Sequence, residues 1–257
     1  MSSVTVTALE GIPEVKAGDD VAALIGDALE AGGLTLEAGD VLTIAHKIVS
    51  KAEGRVRRFV DVEPSEEAER YAEQLSKDPR KVQIVLDESL QVLRSFKHPH
   101  ANEGTMICEH RLGLISANAG VDESNTADDG EAILLPEDPD ASAQAIRLGL
   151  ATHFGVAPGV IITDTFGRPW RVGQVNVAIG LAGVPATIDE TGDVDARGRL
   201  LKVTQPAIAD EIAAASGLVV GKAAGTPVSL FKGLNWVPDN HARARQLLRA
   251  RTEDMFR

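Results

Sequence analysis

The sequence predicts an α+β fold, in which helices pack on β-sheets without a regular βαβ alternation. Segments with helical and strand periodicity follow one another in irregular order along the chain. The composition agrees, because 44% of the residues are hydrophobic, with many Ala, Val, Leu and Gly, while aromatic residues make up only 4%. With 257 residues, the chain is long enough for one large domain or two modest ones.

The first elements are marked by their periodicity and by the residues at their ends. Val4–Leu9 has the pattern of a short strand and runs into a turn. Asp19–Gly32 places its apolar residues on one helical face and ends in two glycines, which predicts a helix. Val41–Ala45 is an apolar run after Gly39-Asp40, so it predicts a buried strand.

The middle of the chain predicts two helices and a strand pair. A helix begins at Ser65, which caps it, and acidic residues occupy its first turn. Lys81–Leu93 has apolar residues at helical spacing and predicts a second helix. Thr105–Cys108 and Leu112–Ala117 predict two strands that pair around a short turn.

The remaining elements return to long periodic segments. Asp138–Phe154 predicts a helix, and Gly159–Thr163 is a β-branched strand that is expected to end at Asp164. Gln174–Leu181 alternates as a strand. The last predicted elements are the helix Ala207–Leu218 with Pro206 at its start, the strand Val228–Lys232 and a basic amphipathic helix over Asn240–Arg257.

Charge and composition exclude several classes of partner. Lys and Arg number 26 and Asp and Glu 38, which gives a net charge of −12. Such a chain repels a polyphosphate backbone, so no nucleic-acid partner is expected, although a bound cation would allow a small phosphate ligand. Cys108 is the single cysteine, which rules out a disulfide framework. We find no signal-peptide pattern and no apolar run long enough for a membrane span, so we expect a cytoplasmic protein.

Two polar segments carry the strongest chemical signal. Asn118–Asn125 (NAGVDESN) and Thr163–Pro169 (TDTFGRP) each follow an apolar strand and offer carboxylate, amide and hydroxyl oxygens. Mg²⁺ and Mn²⁺ prefer oxygen ligands, and arginine side chains bind phosphate and carboxylate oxygens. We therefore predict that the two segments form one metal-and-phosphate site. Taken separately, each segment also fits a turn or a cap that satisfies its own backbone.

Two further segments could bind phosphate. Val220–Pro227 (VGKAAGTP) is rich in small residues whose backbone N–H groups can approach an anion, but it lacks the spacing of a Walker A loop. Lys47, Lys51 and Arg55 cluster around Ser50 in an otherwise acidic chain. On spacing alone, a flexible helix-to-strand connection explains the first segment better than a phosphate site does. For the lysine cluster, a solvated helix face is the commoner explanation.

Together these segments resemble a known family, the coenzyme F420:L-glutamate ligases, which are gamma-glutamyl ligases of the deazaflavin coenzyme pathway. The resemblance extends from about Leu9 to about Gly233. It rests on the segments Ser50–Arg55 (SKAEGR), Ile107–Asn125, Leu134–Ala143, Thr163–Gly180 and Val220–Val228, which occur in the family's order.

The resemblance implies a fold of two intimately packed mixed α/β domains within one ligase module, and a homodimer. Some members of the family carry a nitroreductase-like domain after this module; the sequence ends at Arg257, so we expect no such domain here and either a stand-alone enzyme or an excised domain. It also implies GTP, two Mg²⁺ or Mn²⁺ ions and K⁺, with L-glutamate and F420-0 as substrates. By motif, the metal ligands are Asp122, Asp164 and Thr165. The residues expected around the nucleotide are Leu9, Glu10, Gly11, Ile12, His46, Lys47, Lys51, Asn125, Val220, Gly221, Lys222, Ala223, Ala224, Gly225, Thr226 and Pro227.

The chemistry implied by the resemblance is amide-bond formation through an acyl phosphate, and further γ-linked glutamates follow the first. Such a reaction depends on charge neutralisation more than on a protein nucleophile. Our own interpretation adds Arg168 or Arg171 as a group that binds a substrate carboxylate. The alternatives are a ligase for another acceptor, a metal-dependent phosphohydrolase that uses Asp122 and Asp164, and a non-catalytic nucleotide-binding module.

Overall fold

The computed structural model describes residues 3–126, 128, 130–221 and 225–255, and it contains both helices and β-sheets, in agreement with the predicted α+β class. The strands are β1 (Thr5–Ala8), β2 (Val41–Ala45), β3 (Val56–Arg58), β4 (Ser89–Phe96), β5 (Thr105–His110), β6 (Ile115–Ala117), β7 (Glu131–Ile133), β8 (Gly159–Arg168), β9 (Arg171–Ala182) and β10 (Val228–Lys232). The α-helices are α1 (Val21–Ala31), α2 (His46–Ala52), α3 (Glu66–Leu75), α4 (Pro79–Asp87), α5 (Pro139–Phe154) and α6 (Ile208–Ser216).

The largest unit is a five-stranded sheet with the order β1-β10-β2-β8-β9, which we call the main sheet. In this sheet β2 and β8 run parallel, whereas the other neighbouring strands are antiparallel. Leu42 and Ile44 point into a core shared with α1 and α5, while Val41 points into a second core shared with α6. Because helices cover both faces, the central strands are apolar throughout rather than alternating.

Residues 56–135, which we call the inserted segment, fold into smaller units between α2 and α5. They contain the two-stranded sheet β3-β7 and the three-stranded sheet β4-β5-β6, together with α3 and α4. Leu75, Val82 and Met106 belong to one core of this segment, and Phe59 and Ile84 to another. The expectation of two packed domains in a homodimer stays a prediction.

The predicted helix over Lys81–Leu93 is wrong in its second half. Helix α4 ends at Asp87, and the chain continues from Ser89 as strand β4, which pairs with β5. Two register shifts, between Ser89 and Gln91 and between Val92 and Arg94, interrupt the strand. Because a bulge adds a residue and breaks the period of two, the apolar residues retain a spacing that resembles that of a helix.

The predicted closing helix over Asn240–Arg257 is also wrong. The chain forms two short 3-10 helices, Ala244–Leu247 and Arg251–Glu253, and Leu248 between them is extended. The backbone N–H of Ala244 donates to the Asp140 carboxylate at 3.0 Å, so tertiary contacts replace the helical hydrogen bonds. Residues 256 and 257 lie outside the described residues.

The strand that was expected to end at Asp164 continues to Arg168, because its outer half pairs with β9 in a long hairpin. Helix α6 begins at Ile208 with Ala207 as its N-cap, so Pro206 precedes the helix instead of occupying its first turn. The strands predicted at Val41–Ala45 and Val228–Lys232 have the predicted ends. No helix in the described parts of the chain is long and apolar enough to cross a membrane.

Candidate functional site

The candidate site lies at the edge of the main sheet formed by the carboxyl ends of β2 and the neighbouring part of β8, where the central strand β2 ends and α2 begins. The last residue of β2, Ala45, pairs with Thr163 of β8 and donates its N–H to the Pro227 carbonyl at 2.8 Å. The next residue of each chain segment is His46 after β2 and Asp164 on β8, and these two side chains face each other. The parallel pairing of β2 and β8 thus brings together residues that are far apart in the sequence.

Two polar atoms at this edge are buried and have no hydrogen-bond partner among the residues that the structure describes. They are Nε2 of His46 and Oγ1 of Thr226. The imidazole of His46 is only 2% exposed, and its Nε2 lies 3.4 Å from Oδ1 of Asp164, whose side chain is 13% exposed. Since a buried polar group without a partner costs free energy, such atoms often mark the place where a ligand or a small rearrangement completes the hydrogen bonding.

The second acidic residue, Asp122, comes from the inserted segment. Its backbone forms an antiparallel bridge with Ile133, which places it beside β7. Oδ2 of Asp122 lies 2.8 Å from Nζ of Lys47, and Oδ1 accepts the N–H of Ser124 at 2.7 Å. Burial raises the pKa of Asp122, but Lys47 and Ser124 outweigh it and hold that pKa below its usual value. Asp122 is therefore ionised at neutral pH.

The first turn of α2 links the two acidic residues. Its first residue, His46, faces Asp164, and its second, Lys47, contacts Asp122. The short helix thus lies between the NAGVDESN and TDTFGRP segments. Lys47 also donates to the hydroxyl group of Ser124. Three distant parts of the chain, namely α2 and the segments that carry Asp122 and Asp164, therefore meet at the first turn of α2.

Thr165 follows Asp164 on β8 and points into a small polar network. Its N–H donates to Oδ1 of Asp164 at 2.6 Å, and its hydroxyl donates to Oδ1 of Asn176 at 2.9 Å. Nδ2 of Asn176 in turn donates to Oγ of Ser216 in α6 at 3.0 Å. Sequence reasoning did not single out Asn176 or Ser216. A polar residue within the alternating segment after TDTFGRP was the signal for Asn176, whereas nothing in the sequence indicated Ser216.

The structure places Arg168 away from the acidic residues. Arg168 lies four residues beyond Asp164 along β8, about 13 Å at the usual rise of an extended strand. Its guanidinium donates to the Val172 carbonyl within the same hairpin. Asn125 is exposed and has a positive φ of 61°. Neither Arg168 nor Asn125 thus belongs to the contacts between α2 and the two acidic residues.

The N-terminal and glycine-rich segments reach the same edge of the main sheet. Leu9 is buried and donates its N–H to the Val228 carbonyl at 2.9 Å, whereas Glu10 and Gly11 are exposed beyond it and Ile12 packs on the core. Lys51 of α2 forms an ion pair with Glu14. The glycine-rich segment connects α6 to β10, and its residues Val220, Gly221, Gly225, Thr226 and Pro227 are described. Lys222, Ala223 and Ala224 lie outside the described residues.

The donor set at this edge fits a hard divalent cation in its chemistry. Asp122, Asp164 and Thr165 offer carboxylate and hydroxyl oxygens, which are the ligands that Mg²⁺ and Mn²⁺ prefer. In the described parts of the chain, no three His, Cys, Asp or Glu side chains already lie together as a metal-binding group. Lys47 balances the charge of Asp122, so a cation bound by this carboxylate would replace Lys47 as its partner.

Comparison with known proteins supports one family. A model of the family "F420-0:Gamma-glutamyl ligase" matches residues 11–233. The chain is 44% identical to a coenzyme F420:L-glutamate ligase of Methanopyrus kandleri, over 100% of both chains. It is 44% identical to the enzyme of that name from Methanothermobacter thermautotrophicus, over 99% of both chains. It is 42% identical to that from Haloarcula marismortui, over 98% of this chain and 95% of the relative.

Proposed function

The chain belongs to the F420-0:gamma-glutamyl ligase family, and we propose that it joins L-glutamate to coenzyme F420-0 with GTP as co-substrate. The enzyme class, a ligase that joins an acid and an amino acid, follows from the family and from relatives that match over their whole length. The observation that carries the proposal is the convergence of Asp122, Lys47 and Asp164 at the first turn of α2, where Lys47 contacts Asp122 and His46 faces Asp164. Such a site concentrates the charges needed for phosphoryl transfer.

The proposed reaction has two steps. The γ-phosphoryl group of GTP passes to the terminal carboxylate of F420-0, which gives an acyl phosphate and GDP. The amino group of glutamate then attacks the acyl carbon, inorganic phosphate leaves, and an amide bond remains. In this scheme Lys47 and Lys51 neutralise phosphate oxygens, while the glycine-rich segment from Val220 to Pro227 lines the nucleotide site. Further γ-linked glutamates are added by the same chemistry.

The proposed cation ligands are Asp122, Asp164 and Thr165. A divalent cation, Mg²⁺ or Mn²⁺, supplies charge stabilisation to the transferring phosphoryl group when it is bound there. Asp122 now pairs with Lys47, and if it held the cation instead, the Lys47 ammonium would be available to a phosphate oxygen. The proposal also includes a second divalent ion and, separately, a K⁺ ion. It further includes a homodimer of two-domain subunits and a cytoplasmic location. The ions and the homodimer rest on the family resemblance.

Mass spectrometry of the products tests this proposal. We expect F420-0, GTP, L-glutamate and Mn²⁺ to give F420-0 extended by glutamate, together with GDP and phosphate. Asp164→Asn should slow this reaction by about 10²-fold or more, because it removes a carboxylate charge that would hold the divalent cation against the transferring phosphoryl group. Asp27→Asn, on the exposed face of α1, is the matched control and should keep full activity.

Each alternative gives a different product pattern. GDP formed without glutamate would indicate a phosphohydrolase, and GTP binding without turnover would indicate a non-catalytic module. A product with another acceptor and no extended F420-0 would indicate a related ligase. Undiminished ligation by Asp164→Asn would contradict the assignment of the metal site.

The proposed role of Arg168 needs its own test, because its guanidinium contacts Val172 rather than the acidic residues. If Arg168 or Arg171 binds a substrate carboxylate, Arg168→Met or Arg171→Met should raise the KM for glutamate by about tenfold, the effect of losing one charge-assisted hydrogen bond. Steady-state kinetics with varied glutamate measures this. Unchanged kinetics in both variants would reject the role.

A further inference from the structure

We propose that His46 is a positioning residue whose Nε2–H donates a hydrogen bond to Asp164 and orients that carboxylate within the site. This inference rests on the proposed function, since it gives Asp164 its role there. The sequence predicts only that His46 lines the nucleotide site. The ring is 2% exposed, however, so its imidazole is directed into the protein and towards Asp164.

The two ring nitrogens of His46 have different surroundings. Nδ1 lies 3.2 Å from Oγ of Ser50, one turn further along α2. Nε2 faces Oδ1 of Asp164 at 3.4 Å, slightly beyond the range of a good hydrogen bond, and has no hydrogen-bond partner within the described parts of the chain. Ser50 is itself fully buried, so the contact with Nδ1 is enclosed by protein.

The position of Asp164 selects one arrangement of protons on the neutral ring. If Nδ1 carried the proton, the lone pair of Nε2 would face a carboxylate oxygen, and two acceptors would meet in a buried place. If Ser50 donates to Nδ1 instead, Nε2 carries the proton and points at Asp164. The second arrangement places a donor opposite an acceptor at both ring nitrogens, and the partner of one ring nitrogen commonly fixes the proton on the other.

The consequence concerns the orientation of the Asp164 carboxylate. Its Oδ1 already accepts the N–H of Thr165 at 2.6 Å. A second donor on the same oxygen fixes the rotation of the carboxylate and therefore the direction of Oδ2. Removing a partner that orients a metal-binding side chain in this way typically lowers metal affinity or activity by 10- to 100-fold.

The proton position can be measured directly by ¹⁵N NMR on the labelled full-length protein without metal. Among the six histidines, the His46 signals are those that disappear in His46→Gln. We expect a protonated Nε2 and an unprotonated Nδ1 that accepts from Ser50. A protonated Nδ1 with a bare Nε2 would overturn the proposal. This measurement does not depend on whether the enzyme is active.

Metal titration tests the positioning role. We expect His46→Leu to raise the calorimetric Kd for Mn²⁺ by about tenfold or more, and His46→Gln, whose amide N–H lies near the place of Nε2, to return it to within about threefold of wild type. His153→Leu is the control, because that ring is 45% exposed and pairs with Glu30 on the surface. Thermal unfolding shows whether each variant is folded.

The possible results separate the inference from the proposed function. Equal Mn²⁺ affinity in wild type and His46→Leu would refute the positioning role while leaving the metal site intact. An affinity of His46→Gln as weak as that of His46→Leu would also refute it, since it would show that the ring itself is required. A wild-type protein that binds no Mn²⁺ would overturn the proposed metal site and the positioning role together, whereas the NMR result would still decide the hydrogen bond.

Discussion

Glu88 contacts three side chains, those of Arg55, His110 and Arg111, and its replacement by Gln should destabilise the protein in a pH-dependent way. Its Oε2 lies 2.7 Å from Arg55 Nη2, 3.3 Å from Arg111 Nε and 3.2 Å from His110 Nε2. Nδ1 of His110 accepts the N–H of Leu112 at 3.0 Å, so in the neutral ring Nε2 carries the proton and donates to Glu88. The buried carboxylate thus receives three donors.

The size of the effect follows from the pKa of Glu88. Burial raises this pKa, but the hydrogen bond from His110 and the charges of Arg55 and Arg111 lower it from 4.5 to about 2. The difference corresponds to roughly 3 kcal/mol in favour of the folded state. Because the folded-state pKa is the lower one, this stabilisation is complete above pH 4.5 and is lost as the pH falls through about 2. At pH 3 roughly half of it remains.

Urea unfolding followed by tryptophan fluorescence measures this prediction at pH 7 and pH 3. Trp236 is a suitable probe, because its Nε1 donates to the Gly39 carbonyl at 3.0 Å. We expect Glu88→Gln to lower the free energy of unfolding by about 3 kcal/mol at pH 7 and by about half of that at pH 3. The control is Glu137→Gln, which touches the same two arginines but is 70% exposed, and should change stability by less than about 0.5 kcal/mol.

Two outcomes would refute this reasoning. A loss below about 1 kcal/mol at pH 7 would mean that the desolvation of the carboxylate cancels its contacts. A loss of the same size at both pH values would mean that the pKa of Glu88 is not depressed in the folded state.

Two other substitutions test the packing and a buried charge. Gly180→Ala should lower the free energy of unfolding by about 1–3 kcal/mol, because its Cβ would lie 2.5 Å from the Pro139 carbonyl oxygen. Gly167→Ala is the matched control, since nothing lies within 4 Å of its added Cβ, and equal losses would contradict the packing argument. For Asp140, burial outweighs two backbone donors and raises the pKa, so the folded state gains stability as the carboxylate is protonated. Asp140→Asn should therefore leave the free energy of unfolding at pH 7 unchanged or raise it, whereas Asp140→Ala should lower it by about 1–3 kcal/mol. Urea unfolding of both variants measures this, and an Asn variant less stable than the Ala variant would contradict the argument.

The strands and helices that the sequence predicted well are those whose signal is local. Val41–Ala45 and Val228–Lys232 are apolar runs bounded by turn residues, and they form β2 and β10. Asp138 caps α5 by accepting the N–H of Ala141 at 3.0 Å. The order of the main sheet was not predictable, because β2 pairs with β8 across more than a hundred residues and no local pattern specifies such a partner.

For the candidate site, the sequence indicated the chemical groups but not their contacts. It named Asp122 and Lys47 separately, and only the fold shows that they form an ion pair. His46 was predicted to line a nucleotide site, yet burial directs its ring to Asp164. Arg168 lies beyond the predicted end of its strand because the hairpin is longer than the β-branched run alone indicates.

The short helix α2 is held at both of its ends. No loop residue separates it from β2, and Arg55, just after its end, is bound by Glu88 of the inserted segment. It therefore links the two parts of the molecule that supply Asp164 and Asp122. A small displacement of the inserted segment relative to α2 would change the distance between the two carboxylates. A change in the Glu88 contacts would then alter cation binding at the proposed site without replacing any of the proposed ligands.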